Sequence, residues 1–138
     1  MATDLSHSIE VEPAFYDIDP MEIVWHGHYV KYFELARSAL LARFDYGYTQ
    51  MRESGYLWPI VDLRVKYVRS AHLHQPLTVR AEIVEWENRL RITYVIKDAA
   101  TGAKLTQAST IQVAVDAATR EMLFVCPPVL WERLGVNR

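Results

Sequence analysis

The segment from Tyr29 to Phe44 constrains the fold of this chain more than any other feature. Its apolar residues recur at helical spacing and cover most of the surface of the resulting helix. A helix of this kind has to be surrounded by other parts of the protein, so we expect it to lie at the centre of the fold. The polar residues form only a narrow strip, which consists of Lys31, Glu34, Arg37 and Ser38.

After Gly55 the apolar pattern changes to a period of two, which is typical of strands with one buried face. Turn-forming residues separate these segments and favour hairpin connections. One long strand over 105–115 is predicted to carry Leu105, Ile111, Val113 and Val115 on a single face. The predicted strands are 61–67, 77–83, 90–97, 105–115 and a short one over 122–125.

Two further helices and an extended N-terminal segment complete the prediction. A short helix is expected over 49–53, and Pro127 and Pro128 suit the first turn of a C-terminal helix. The order of elements predicts an α+β fold in which an antiparallel sheet of about five or six strands wraps around one long helix. Such a sheet has exposed edges, and edge-to-edge pairing of two copies would cover them, so we expect a homodimer.

Length and composition limit the other possibilities. At 138 residues the chain fits one domain, residues 1–138, and its 51% hydrophobic and 23% charged residues are a globular balance. No apolar run is long enough for a membrane helix, and a net charge of -2 argues against nucleic-acid binding. The N-terminus lacks a secretory signal pattern and Cys126 is the one cysteine, so we expect a cytoplasmic protein.

The stretch "YDIDPMEIVWHGHYVKYFELAR", which runs from Tyr16 to Arg37, concentrates reactive side chains just before the long helix. By residue chemistry alone, Asp17 and Asp19 suit a turn before the helix or an active site. Two histidines, His26 and His28, with two aspartates also suit a zinc site in composition. Alternate residues project in different directions, however, so we predict no metal and no cofactor.

Most of this stretch, "DIDPMEIVWHGHYVKYFELAR", resembles the signature of the 4-hydroxybenzoyl-CoA thioesterase family of hotdog-fold acyl-CoA thioesterases. The likeness continues through "WPIVDLRVKYVRSAHLHQPLTVRAEIVEW" and so covers most of the chain. It implies a single hotdog domain, in which an antiparallel sheet wraps a long central helix. It also implies a homodimer with active sites at the subunit interface, with a dimer of dimers as the larger alternative.

The resemblance implies that the catalytic residues lie at the start of the motif. Asp19 is implied as the nucleophile that attacks a thioester carbonyl, or as the general base that activates a water molecule. The backbone N–H of His26, beside Gly27, is implied as the donor to the oxyanion, since a helix N-terminus presents free N–H groups. Glycine at position 27 also lets an acyl group approach the backbone closely.

The resemblance also implies an acyl-CoA substrate, whose phosphates need basic side chains near the mouth of the site. In "EWENRLR", the resemblance implies that Arg89 and Arg91 are the basic residues that contact these phosphates. The remaining substrate contacts are predicted at Trp25, Gly27, His28, Tyr29 and Glu34.

The sequence departs from the family pattern at two positions. Glu22 stands where the family usually has a small residue, often glycine, and His28 stands where asparagine is common. Glu22 adds a carboxylate near Asp19, where it either raises one pKa by like-charge repulsion or points to solvent. If these two departures have removed the chemistry, the alternative is a non-catalytic acyl-CoA binding module. A metal-dependent hydrolase that uses His26 and His28 is a third alternative, and the preferred acyl group is left open.

Overall fold

One long helix, α1, spans Tyr29–Arg43 and lies at the centre of the fold. The structure is a computed structural model and describes residues 3–137. A 3-10 turn at His26–His28 leads directly into α1, and the helix α2 (Tyr48–Glu53) follows it. The C-terminal helix, α3, spans Pro128–Leu134. All three predicted helices are confirmed.

Five antiparallel strands form the main sheet, in the spatial order β1-β4-β5-β6-β3. Two further short strands, β2 and β7, pair with each other. The predicted α+β architecture is confirmed, because α1 packs on one face of this antiparallel sheet through β1 and β4. The strands are β1 (Ser6–Val11), β2 (Tyr56–Leu57), β3 (Ile60–Tyr67), β4 (Leu77–Glu85), β5 (Leu90–Asp98), β6 (Lys104–Gln112) and β7 (Val115–Asp116).

Arg37 of α1 departs from the prediction, which placed it on the exposed polar strip. Its side chain is buried, and its Nη2 donates to the Tyr48 hydroxyl at 3.0 Å. Its Nη1 lies 3.4 Å from the Tyr94 hydroxyl on β5, and Glu34 is its ion-pair partner at 3.5 Å. These tertiary contacts allow the guanidinium to be buried, and spacing along one helix carries no information about them.

The inner face of the edge strand β3 is left uncovered by α1. The helix contacts β1 and β4, whereas β3 is at the opposite edge of the sheet. Leu63 and Tyr67 of β3 therefore stay 41% and 46% exposed, although their partners on β6, Thr110 and Thr106, are buried on the same face. The strand predicted over 61–67 as half-buried is therefore mostly exposed in the single chain, and Val65 is the inward side chain that packs against the core.

The predicted face of the strand over 105–115 is wrong. The strand β6 ends at Gln112, and Ile111 faces outward in register with Arg91 of β5. The pairing register shifts near Leu105, and a shift of one residue moves every following side chain to the other face of a strand. The inward side chains of β6 are therefore largely polar, and three of them are buried: Thr106, Thr110 and Gln112.

The short strand predicted over 122–125 is also wrong. Met122 forms one isolated bridge with Val115, and the chain then continues to Pro127 without further pairing among the described residues. A strand needs a series of hydrogen bonds to a neighbouring strand, and one isolated bridge does not supply it. The apolar pattern of this segment is therefore not enough to make a strand.

Candidate functional site

Asp19 lies in a tight turn between β1 and the start of the helical segment. Its backbone N–H donates to the Ile23 carbonyl at 2.9 Å, and its own carbonyl accepts from the Glu22 N–H at 2.9 Å. Its Oδ1 accepts from the Met21 N–H at 2.8 Å, an arrangement that is typical of an Asx turn. Within residues 3–137 the other carboxylate oxygen forms no hydrogen bond, so it is available to a ligand.

Glu22 has a left-handed backbone conformation, with φ 65°. This region is strained for residues with a side chain and favours glycine, which explains why a glycine would suit this position. The side chain of Glu22 is exposed and does not line the cavity beside Asp19. The additional carboxylate therefore points to solvent.

Asp17 anchors the turn to the long helix. Its carboxylate is buried and forms an ion pair with Lys31, while its Oδ2 accepts from the Tyr32 hydroxyl at 2.8 Å. The Ala14 N–H donates to the same oxygen at 3.0 Å, and the Trp25 N–H donates to the Asp17 carbonyl at 3.0 Å. These bonds hold both ends of the turn that carries Asp19, so Asp17 has a structural role.

Burial by itself raises the pKa of Asp17, but donation from Lys31, Ala14 and Tyr32 outweighs it and leaves this pKa below its usual value. A lowered pKa in the folded state stabilises the protein above the unfolded pKa of about 3.9, and this contribution is lost as the pH falls through the folded pKa.

We expect Asp17→Ala to lower the free energy of unfolding at pH 7 by about 2 to 3 kcal/mol, because the Tyr32 hydroxyl and the Ala14 N–H lose their acceptor. Urea unfolding would measure this loss. The control is Asp62→Ala, which removes an exposed pair with Arg64 and should change stability by less than about 1 kcal/mol. The difference between the two variants should shrink below pH 4, and equal losses at pH 7 would contradict the anchoring role.

The backbone N–H groups of His26 and Gly27 face no acceptor among the described residues. His26 begins the 3-10 turn that continues into α1, so its N–H has no partner within the helix. A Cβ at Gly27 would lie 2.3 Å from the Trp25 indole, which shows how closely this ring covers the turn. The His28 side chain forms no cap hydrogen bond and instead contacts the Trp25 ring edge at 5.2 Å between centroids.

A cavity of about 180 Å³ opens beside Asp19. Tyr67, at the end of β3, donates from its hydroxyl to the His26 carbonyl at 2.6 Å and so fixes the turn that starts the helix. Tyr29 accepts from the Ala71 N–H at 3.0 Å and closes the buried side. The cavity thus joins a carboxylate to the N-terminal end of the helical segment, and its lining also includes Met21, Ile23, Val24, Arg69 and Ser70.

The two tyrosines of this cavity stay neutral at physiological pH. Burial raises the pKa of Tyr29, and the nearby negative charge of Asp19 adds to the rise. Burial also raises the pKa of Tyr67. Both phenols can therefore donate or accept hydrogen bonds in the cavity without ionising.

The structure brings together only part of the predicted set. Asp19, His26 and Tyr29 line the cavity, and Trp25, Gly27 and His28 belong to the adjoining turn. The other predicted residues lie elsewhere in the single chain. Glu34 is exposed beside Arg37, Arg89 is paired with Glu85 at 2.7 Å, and Arg91 lies on the outer face of the sheet.

Sequence reasoning missed six lining residues. Met21, Ile23 and Val24 belong to the motif, whereas Tyr67, Arg69 and Ser70 come from a distant part of the chain. Tyr67 is the last residue of β3, and Arg69 and Ser70 follow it, 30 or more positions after the motif ends at Arg37. The sequence pattern there predicts only a strand and the loop after it. Arg69 has no ion-pair partner within the described residues, so it leaves a positive charge beside the Asp19 carboxylate. The sequence feature that could have indicated these residues is an arginine and a serine shortly after a strand of alternating apolar and polar residues.

His26 and His28 do not converge with acidic side chains. Within residues 3–137 no group of three His, Cys, Asp or Glu side chains is placed to hold a metal ion. Nor does any helix in this part of the chain have the length and apolar character required to span a membrane.

Comparison with known proteins shows the family to which this chain belongs. The Thioesterase-like superfamily profile matches residues 13–134. The chain is 30% identical to a Bacillus subtilis protein provisionally named acyl-CoA thioesterase YneP, over 77 residues that span 56% of each chain. A provisionally named esterase of Synechocystis is 28% identical over 119 residues, covering 81% of this chain and 68% of that protein.

Solved structures give the same answer for the fold. The crystal structure of Slr0204, a 1,4-dihydroxy-2-naphthoyl-CoA thioesterase from Synechocystis, superposes with a TM-score of 0.84 at 18% identity, covering 94% of this chain and 96% of that one. The fold is therefore the hotdog fold. Since the family profile extends over nearly all of the described residues, the chain belongs to the Thioesterase-like superfamily.

Proposed function

We propose that this protein hydrolyses an acyl-CoA thioester to a carboxylic acid and free CoA. The observation that carries the proposal is the cavity that Asp19 and His26 both line, at the N-terminal end of the helical segment, where the N–H groups of His26 and the adjoining Gly27 form no hydrogen bond within the described residues. A thioester carbonyl bound there would meet a base or nucleophile on one side and hydrogen-bond donors on the other. The names of the relatives support the same chemistry.

Asp19 has two possible roles in this reaction. As a nucleophile, its carboxylate attacks the carbonyl carbon, the C–S bond breaks, CoA leaves as the thiolate and takes up a proton, and water then hydrolyses the mixed anhydride. As a general base, it takes a proton from water, which attacks the same carbon directly. In either case negative charge develops on the carbonyl oxygen, and the N–H groups and dipole of the helix N-terminus stabilise it.

The active unit of this proposal is a homodimer joined through β3. This strand has an unpaired edge along its eight residues, and its inward side chains Leu63 and Tyr67 are exposed. At the other edge of the sheet, β1 is less open because Arg43 donates to the Ser6 carbonyl. Pairing of two β3 strands would cover the open inner face and would add a second wall to the cavity, since Tyr67 lines it.

Within the superfamily, the motif around Asp19 favours the 4-hydroxybenzoyl-CoA thioesterase family. A panel of aromatic and aliphatic acyl-CoAs, scored by the appearance of free thiol, tests both the activity and the acyl preference. We expect CoA release from at least one class of acyl-CoA. Release from none of them would contradict the proposed function.

Two observations favour a second candidate, a non-catalytic acyl-CoA binding module. Asp19 uses one carboxylate oxygen in its own turn, and the strained Glu22 occupies the position that suits glycine. Both features are compatible with a turn that has the shape of the family's catalytic turn but no catalytic activity. Binding of acyl-CoA by calorimetry, with no thiol release across the same panel, would support this candidate.

A further inference from the structure

The last residue of β3, Tyr67, makes a tertiary hydrogen bond to the turn that starts the helical segment. Its hydroxyl donates to the His26 carbonyl at 2.6 Å. That carbonyl and the Gly27 N–H belong to one peptide unit, which is planar and trans, so the two groups point in opposite directions. A bond that fixes the direction of the His26 carbonyl therefore also fixes the direction of the Gly27 N–H.

The preceding peptide unit carries the His26 N–H and is held by a local bond. Its carbonyl belongs to Trp25 and accepts from the His28 N–H at 2.9 Å, within the 3-10 turn. In a helical turn the carbonyls point toward the C-terminal end and the N–H groups toward the N-terminal end. The two bonded carbonyls thus keep the N–H groups of His26 and Gly27 parallel, at the N-terminal end where the oxyanion would lie. Of these two bonds, only the one from Tyr67 comes from a distant element.

Gly27 makes the bond from Tyr67 necessary. Glycine has no side chain, so its backbone rotates more freely than that of any other residue type. Loss of the partner of the His26 carbonyl would favour a flip of the peptide unit between His26 and Gly27. The flipped unit would present its oxygen instead of its N–H, and the partial negative charge of that oxygen would repel the oxyanion. The Tyr67 hydroxyl opposes this flip.

We propose that Tyr67 is a positioning residue of this site, whose hydroxyl holds the peptide unit of His26 and Gly27 in the orientation that stabilises the oxyanion. This role rests on the proposed function, since the oxyanion forms during thioester hydrolysis. The phenol is itself supported, because its ring contacts the Tyr29 ring edge-on at 5.3 Å between centroids. Tyr29 in turn accepts from the Ala71 N–H at 3.0 Å, which ties the start of α1 to the chain that follows β3.

Tyr67→Phe tests this role, because it keeps the ring and removes only the hydroxyl. We expect kcat for CoA release to fall about tenfold while KM changes less than about twofold, since the lost restraint acts on the oxyanion and not on the bound substrate. The loss should be the same at neutral and mildly alkaline pH, because burial raises the pKa of Tyr67 and the phenol stays neutral. The matched control is Tyr56→Phe, which removes a hydroxyl that forms no hydrogen bond within residues 3–137 and should leave kcat unchanged. A normal kcat for Tyr67→Phe, a change in KM alone, or a loss that varies with pH would overturn the proposal.

Backbone NMR tests the restraint on the peptide unit without any turnover. The amide resonance of Gly27 should move in Tyr67→Phe, because its peptide unit loses the hydrogen bond at its carbonyl. The resonance of Gly102, in the turn between β5 and β6, should stay in place. An unmoved Gly27 resonance would overturn the proposal even if kcat falls. A moved Gly27 resonance in a protein that hydrolyses no acyl-CoA would reject the proposed function and keep the restraint, so the two failures are distinguishable.

Discussion

Asp19→Asn is expected to reduce CoA release by at least about 100-fold, because an amide can act neither as a general base nor as a carboxylate nucleophile. The variant should fold normally. Asparagine has the same shape, and its side-chain oxygen can still accept the hydrogen bond that Met21 N–H donates to Asp19. Steady-state thiol release with the best acyl-CoA of the panel gives kcat, and thermal unfolding reports the fold.

The control for this variant is Glu22→Gln. It removes one carboxylate three residues away in the same turn, from a side chain that is exposed and does not line the cavity. We expect near-normal kcat for Glu22→Gln. Turnover by Asp19→Asn at the rate of the unaltered protein would remove Asp19 from the mechanism, whereas equal losses in both variants would indicate a general effect of charge.

Leu63→Lys is expected to convert the proposed dimer to single chains and to remove most of the proposed thioesterase activity. Leu63 faces the uncovered inner side of β3 and is 41% exposed in the single chain, so a lysine there does not disturb a packed core. In the proposed dimer, the same lysine would bury a charge on the inner face of the joined sheet, beside the paired β3 strands. An inward-pointing charge on an edge strand is a device by which proteins prevent edge pairing.

Sedimentation velocity measures this effect, with Val84→Lys as the control. Val84 is similarly exposed, at 40%, but it belongs to β4, which is paired on both sides. We expect Val84→Lys to keep the mass of two chains and its activity. A Leu63→Lys protein that still sediments as two chains would rule out β3 as the dimer edge, and an active single chain would rule out a site completed by the partner.

Local sequence patterns correctly predicted the helices and strands whose own side chains determine which face is buried. The apolar residues of Tyr29–Arg43 require enclosure wherever this helix packs, and the alternation in β4 and β5 fixes one inward face for each strand. The motif before α1 likewise placed Asp19 and His26 close to the start of the helix in sequence, and in the structure both line one cavity. These features depend on residues that are close together along the chain.

The predictions that were wrong share one physical reason: each depended on contacts with other parts of the chain. The face of β6 depends on a register shift near Leu105, which is set by pairing with β5 and is invisible in the residues of β6 themselves. Arg37 is buried because Tyr48 and Tyr94 come to it from other elements. Arg89 and Arg91 are close in sequence, but Arg89 pairs with Glu85 at the end of β4, whereas Arg91 lies on the outer face of the sheet.

The sequence by itself determined that one helix is enclosed by an antiparallel sheet and that a carboxylate precedes the start of that helix, because periodicity and chain order are local properties. Tertiary structure alone decided which residues share the cavity with Asp19 and which strand is left open. Tyr67 and Arg69 reach the cavity because β3 passes the N-terminal end of the helical segment, and Leu63 is uncovered because α1 packs over the opposite half of the sheet. Both outcomes depend on contacts between residues far apart in the chain, whose partners are fixed only when the sheet and helix pack together.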